Sequence, residues 1–176
     1  MSHLEEKYLK YILVQYKHLK TRADQGIDQL SEEEWFWKPG EELNSIAILM
    51  KHLSGNMHSR WLDFLTSDGE KECRNRDMEF VIEGDRAGIL IERWESGWRL
   101  LFETIECLEA DDLEKTVTLR GQPITVLQAI QTELSHISYH VGQILFLGKQ
   151  IKDDAWTILS IPKNGLEAFI KKVKGD

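Results

Sequence analysis

Two of the six histidines in the 176-residue chain, His136 and His140, stand four apart in the segment TELSHISYHVGQIL at 132–145. On a helix this spacing puts both imidazoles on one face, where they can share a metal ion. Spacing alone is weak, because six histidines among 176 positions give such a pair in roughly one shuffled sequence in six. Location has to decide. At about 100° per residue, Val126, Ile130, Leu134, Ile137, Val141 and Ile144 define an apolar arc. His140 falls just beside that arc and His136 slightly further round.

A second segment repeats the arrangement. His52 and Asn56, again four apart, lie beside a stripe of Ile46, Leu53, Met57 and Phe64, and Asp63 continues their line. Three neutral imidazoles from two helices, with the other positions left to water or substrate, is the ligand count of a catalytic metal site. Equally, each histidine can be a partly buried residue with a local hydrogen bond. Spacing and periodicity leave both readings open. Glu133, one turn before His136, points near the inner face as an acceptor behind a ligand imidazole or as a salt-bridge partner. His3 falls in a terminus expected to fray, and His18 and His58 lie off the apolar faces and read as solvated.

The elements that would position these residues are helical. Apolar residues recur at three- and four-residue spacing from about Leu4 to Leu30, from Asn44 to near Ser67, from Asp85 to about Leu108, and over 123–151. Asn44 and Asp85 are the expected N-caps, and Pro123 suits the first turn of the fourth helix. TVTLRG at 116–121 alternates enough for a short extended stretch before a turn at Gly121. LEAFIKKVK at 166–174 suggests a short terminal helix. The expected fold is therefore all-α: a four-helix bundle with a long crossover between helices 2 and 3, forming a single domain over residues 1–176. Such bundles build their metal sites between facing helices.

Composition excludes several functions. A net charge of −8 and a pI near 5.3, with no concentration of Lys and Arg, argue against a nucleic-acid partner. No segment has the pattern of a signal peptide or the length of a bilayer span, so no membrane association and a cytoplasmic location are expected. Cys73 and Cys107 show no metal or redox spacing. Cys107 reads as a small core residue of the third helix, and Cys73 as a residue of a polar loop. Trp94 and Trp98 read as core. Arg74 and Arg76, in RNRD, either reach over a pocket mouth to hold a substrate carboxylate or pair with Asp77, Glu79 and nearby helix ends.

HxxxHxGQI, here His136, His140, Gly142, Gln143 and Ile144, following His52 on an earlier helix, resembles the DinB-like superfamily of bacterial four-helix-bundle metalloenzymes. HLSGNMHSRWLDFLTSDGEK, RNRDMEF and the closing LSIPKNG are similar to an uncharacterised branch of it, and the similarity runs from roughly residue 5 to 170. The resemblance implies a divalent metal held by His52, His136 and His140, with zinc or nickel expected first and iron or manganese as alternatives. It also implies a homodimer. Superfamily members include transferases that use bacillithiol or mycothiol, and fold transfers between relatives better than chemistry does.

The leading functional expectation is a metal-dependent, low-molecular-weight-thiol (bacillithiol-type) S-transferase acting on a small molecule, with Asn56 orienting water or substrate. A metal-dependent hydrolase, with Glu133 or Asp63 as proton acceptor, is the second. A non-enzymatic metal-binding stress-response protein is the third.

Overall fold

The computed structural model describes residues 3–175. Its long helices are α1 (His3–Ile27), α3 (Ile46–Trp61), α4 (Ala87–Glu106) and α5 (Val126–Lys152), with a one-turn α2 (Glu32–Trp35) and a terminal α6 (Leu166–Lys174). A two-stranded antiparallel hairpin, β1 (Thr116–Leu119) and β2 (Gln122–Thr125), precedes α5. The all-α bundle expected from the sequence is the fold observed, and its long crossover runs between α3 and α4. Packing is chiefly α3 on α4 and α1 on α5, with α3 also facing α5.

The helices assemble because their apolar stripes are continuous and broad. Ile12 and Tyr16 of α1, Leu49, Leu53, Met57 and Trp61 of α3, Trp94 and Trp98 of α4, and Ile130 and Ile137 of α5 are buried in one core. Burying such side chains stabilises by about 1.5–3 kcal/mol each relative to exposure. Two of the large rings have their polar ends satisfied across elements, whereas the indole N–H groups of Trp61 and Trp98 are buried without a hydrogen bond. Tyr16 donates to the Ile130 carbonyl at 2.8 Å, and Trp94 Nε1 donates to Asp24 Oδ1 at 2.9 Å.

Several boundaries differ from the sequence reading, each for a local reason. Pro123 lies in β2, and α5 begins three residues later at Val126 behind a Thr125–Gln128 capping box. Ser45 rather than Asn44 caps α3, accepting from Ile48 N. Asp85 is not a cap, because its carboxylate is bound to Lys51 Nζ at 2.8 Å. α3 ends at Trp61, and Asp63, at φ 50°, has left the helix and faces solvent. Cys107 caps the end of α4 and is exposed, as is Cys73.

The crossover is tied down at both ends. Lys51 Nζ also donates to the Val81 carbonyl at 2.7 Å, holding the segment before α4 against α3. At the other end, Asp68 accepts from the backbone N–H groups of Glu70, Arg120 and Gly121 at 2.7, 2.8 and 2.7 Å. Arg120 and Gly121 both have positive φ, 53° and 71°, as a tight two-residue hairpin turn requires. These ties fix the intervening 3-10 turn, Asp77–Phe80, which packs on α3 beside His52.

Candidate metal centre

His52 comes from the middle of α3, and His136 and His140 from successive turns of α5. The structure brings these three sequence-predicted histidines together: one nitrogen of each lies within 4.8 Å of the others. His52 Nε2 and His136 Nε2 are 3.2 Å apart. Two nitrogens on one tetrahedral zinc-like ion would be separated by about 3.3–3.4 Å, given Zn–N bonds of about 2.0–2.1 Å. His52 and His140 are buried, and the His136 side chain retains 17% of its exposure, so the open edge of the cluster is on the His136 side.

The outward nitrogens show why three lone pairs converge. His52 Nδ1 is 2.8 Å from Glu79 Oε2, and His140 Nδ1 is 2.7 Å from Gln143 Oε1. Both partners are acceptors, which assigns the proton to Nδ1 in each ring and leaves Nε2 as an acceptor. His136 Nδ1 is buried without a hydrogen bond and faces Glu133 Oε1 at 3.6 Å. A proton on that nitrogen, drawn toward the carboxylate, again leaves Nε2 bare. Three imidazole lone pairs aimed at one volume repel one another unless a cation lies between them. The donor set therefore fits a divalent ion, and Glu79, Gln143 and Glu133 stand where supporting acceptors behind ligand imidazoles belong.

Charge around the cluster is balanced pair by pair. Arg74 Nε and Nη2 bind Glu79 Oε1 and Oε2 at 2.8 and 2.9 Å, a two-pronged contact between side chains that are both nearly buried. Burial alone would raise the Glu79 carboxyl; hydrogen bonds from His52 and Arg74, with the Arg74 charge, outweigh it and hold the group below its usual value. Glu133 has no exposed surface and lies 3.1 Å from Arg60 Nε, an ion pair by distance although the N–H groups of Arg60 are not aligned to hydrogen-bond it. With its amide nitrogen turned inward, Asn56 donates to both Glu133 oxygens at 2.7 and 3.1 Å. Burial, opposed by the Gln143 hydrogen bond and reinforced by the other two histidines, pushes His140 down to about 4, so it is neutral at physiological pH.

Sequence-predicted residues thus fall into different places. Asn56 holds Glu133 rather than facing the convergent nitrogens, and Glu133 is both a salt-bridge partner and the neighbour of His136. Asp63 takes no part. His58 is not solvated: its ring bridges the Ser54 carbonyl at 2.8 Å and Ser96 Oγ at 3.0 Å. Arg74 pairs with Glu79 and Glu70, whereas Arg76 stacks over Phe80. Nothing in the sequence singles out Glu79 as the partner of His52 or gives Gln143 its role behind His140.

Residues 3–165 match the family described as Protein of unknown function (DUF1572). The chain belongs to that family. The match spans the bundle and all three histidines of this DUF1572 member. No curated protein matches it. Among the described residues, no helix is long and apolar enough to cross a membrane.

Two cavities flank the centre. One of about 700 Å³ is walled by Leu43, Leu49, Tyr139, Gln143, Phe146 and Leu147, and shares Gln143 and Tyr139 with the surroundings of His140. The other, about 510 Å³, lies behind Glu79 and is lined by Lys51, His58, Lys71, Cys73, Arg74 and Arg93.

Proposed function

We propose that this DUF1572 protein is a metal-dependent enzyme that joins an intact low-molecular-weight thiol through its sulfur to the electrophilic carbon of a small substrate, the thiol losing its proton and the substrate its leaving group, with His52, His136 and His140 as ligands of a divalent ion. The reading rests on one observation. Three imidazoles converge while each nearby buried carboxylate already has an arginine, Arg74 for Glu79 and Arg60 for Glu133. The charge of a bound dication would be left uncompensated by the protein, which favours an anionic ligand in the open positions. When bound, the ion supplies Lewis acidity that favours the thiolate form of a thiol, the nucleophilic form.

The chain's own residues do the positioning. Glu79 and Gln143 hold the rings of His52 and His140 in the tautomer that leaves Nε2 free. Asn56 and Arg60 fix Glu133 behind His136. Phe80 lies on the His52 ring at a centroid distance of 4.8 Å, and Tyr139 on His140 at 4.3 Å, so apolar surface shields the centre from bulk water. Both carboxylates near the centre are committed to other partners, and Asp63 lies beyond the end of α3. A thiol activated by coordination needs no protein base, whereas ester or amide hydrolysis gains from one. That asymmetry favours the transferase over the hydrolase. The resemblance to the DinB-like superfamily, with its thiol-dependent members, supports the same choice and suggests zinc or nickel.

The test compares metal-loaded wild type with a His136→Ala, His140→Ala variant. The expected result is metal-dependent loss of a small thiol in the presence of an alkylating electrophile, abolished in the variant. Metal-dependent release of acid from esters with no thiol consumption would replace this reading by the hydrolase, and absence of bound metal would remove both.

A further inference from the structure

RNRD carries two arginines two positions apart, Arg74 and Arg76, and the structure treats them oppositely. Arg74 is spent on Glu79 and Glu70. Arg76 is exposed, and among the described residues no hydrogen bond or ion pair engages its side chain. Yet its position is not arbitrary. The guanidinium carbon lies 5.1 Å from the centroid of the Phe80 ring, and that ring is 4.8 Å from His52. Across the cluster, Tyr139 packs 5.4 Å from His136 and 4.3 Å from His140. Arg76 therefore stands one aromatic ring away from His52, over the Phe80 ring that covers it.

We propose that Arg76 is the substrate-anchoring residue of this centre and binds the carboxylate of a small anionic substrate whose reacting atom faces the three histidines. One face of the guanidinium rests on Phe80, which orients the fork while leaving its N–H edges unsatisfied. A planar fork of this kind matches a carboxylate through two parallel hydrogen bonds. Because the acids nearest the histidines are already paired, an incoming carboxylate meets an unneutralised cation in an otherwise acidic protein of net charge −8. The inference rests on the proposed metal centre for the position of the reacting atom, and it names the class of compound that centre accepts.

Calorimetric titration of zinc-loaded protein with mercaptoacetate, ethanethiol and glycolate separates the two claims. Wild type is expected to bind mercaptoacetate at least fivefold more tightly than ethanethiol; Arg76→Gln should remove that preference and Arg76→Lys should keep part of it. Thermal melts of the variants should stay near wild type, since the side chain is exposed. If glycolate binds wild type but not Arg76→Gln while ethanethiol binds neither, the thiol reading falls and the anchor stands. If both thiols bind equally and Arg76→Gln changes neither, the anchor falls and the thiol reading stands. Failure of all three probes to bind wild type overturns both.

Discussion

Gly55 lies so close to Glu79 that a methyl group on its α-carbon would overlap Glu79 Oε1 and stand 2.8 Å from the carboxyl carbon. A glycine inside a helix normally costs about 0.8–1.0 kcal/mol relative to alanine. Here it opens the space in which the crossover carboxylate reaches His52 Nδ1. Residue 55 is one helical turn from His52, so the gap and the imidazole share a region of α3.

Gly55→Ala should therefore separate two properties that usually move together. The gain in helix propensity offsets part of the clash, and the remainder falls on Glu79, which must move away from His52. Loss of such a supporting acceptor typically weakens metal binding 10–100-fold. Chelator competition should show zinc affinity down by about that factor, with a melting temperature that changes much less. Unchanged affinity would mean that Glu79 does not orient His52.

Arg74→Ala tests the other side of the same carboxylate. It leaves Glu79, nearly buried, without its guanidinium and with the His52 ring as its remaining close partner. Breaking one half of a buried ion pair costs about 3–5 kcal/mol. Urea denaturation should show a loss in this range. Arg76→Ala, which removes an exposed neighbour two positions away, should stay within about 0.5 kcal/mol of wild type.

How much of this was legible in the sequence depends on the range of the interaction. The bundle follows from helical periodicity, which also places His136 and His140 beside an apolar arc and His52 beside another but leaves open whether the three rings meet or are separate, locally hydrogen-bonded residues. Gln143 was visible in principle, since i and i+3 are neighbours on a helix, but the acceptor it offers His140 has no sequence signature of its own. Glu79 was not, because it sits in a crossover without a period, 27 residues from His52. Pro123 misled because it fits a helix start and a short edge strand equally well; the hairpin registers Leu119 with Gln122 and decides for the strand. Cys107 misled because its apolar spacing continues beyond the turn at which α4 ends.

Metal binding itself should appear as stability. A ligand that binds only the folded protein stabilises it by about 2.7 kcal/mol at a free concentration 100 times its dissociation constant. Zinc should raise the melting temperature of wild type and of Asn56→Ser, though Asn56→Ser should start lower because Glu133 loses an amide donor. Zinc should leave His140→Ala nearly unmoved. Gln143→Ala should respond, with a dissociation constant roughly tenfold weaker, because His140 keeps its Nε2 but loses the acceptor that orients its ring. Equal zinc-induced shifts in wild type and His140→Ala would remove His140 from the ligand set.

Asp68 gives the fold a dependence on pH that owes nothing to the histidines. Hydrogen bonds from the backbone N–H groups of Glu70 and Gly121, with a smaller contribution from that of Arg120, hold its carboxyl below the usual value against a small opposing effect of burial. A carboxyl whose folded pKa lies below its unfolded one binds more protons when unfolded, so stability rises with pH through that interval. The contribution is complete above the ordinary aspartate value of about 3.9 and is lost as pH falls through the lower, folded value. Asp68→Asn keeps one acceptor oxygen but removes the charge. It should cost on the order of 1 kcal/mol at pH 7, the scale of a net hydrogen-bond contribution. Urea midpoints of wild type and variant should therefore differ at pH 7 and converge as pH is lowered below about 3. A gap that persists unchanged at low pH would mean that Asp68 joins crossover to hairpin by shape rather than by charge.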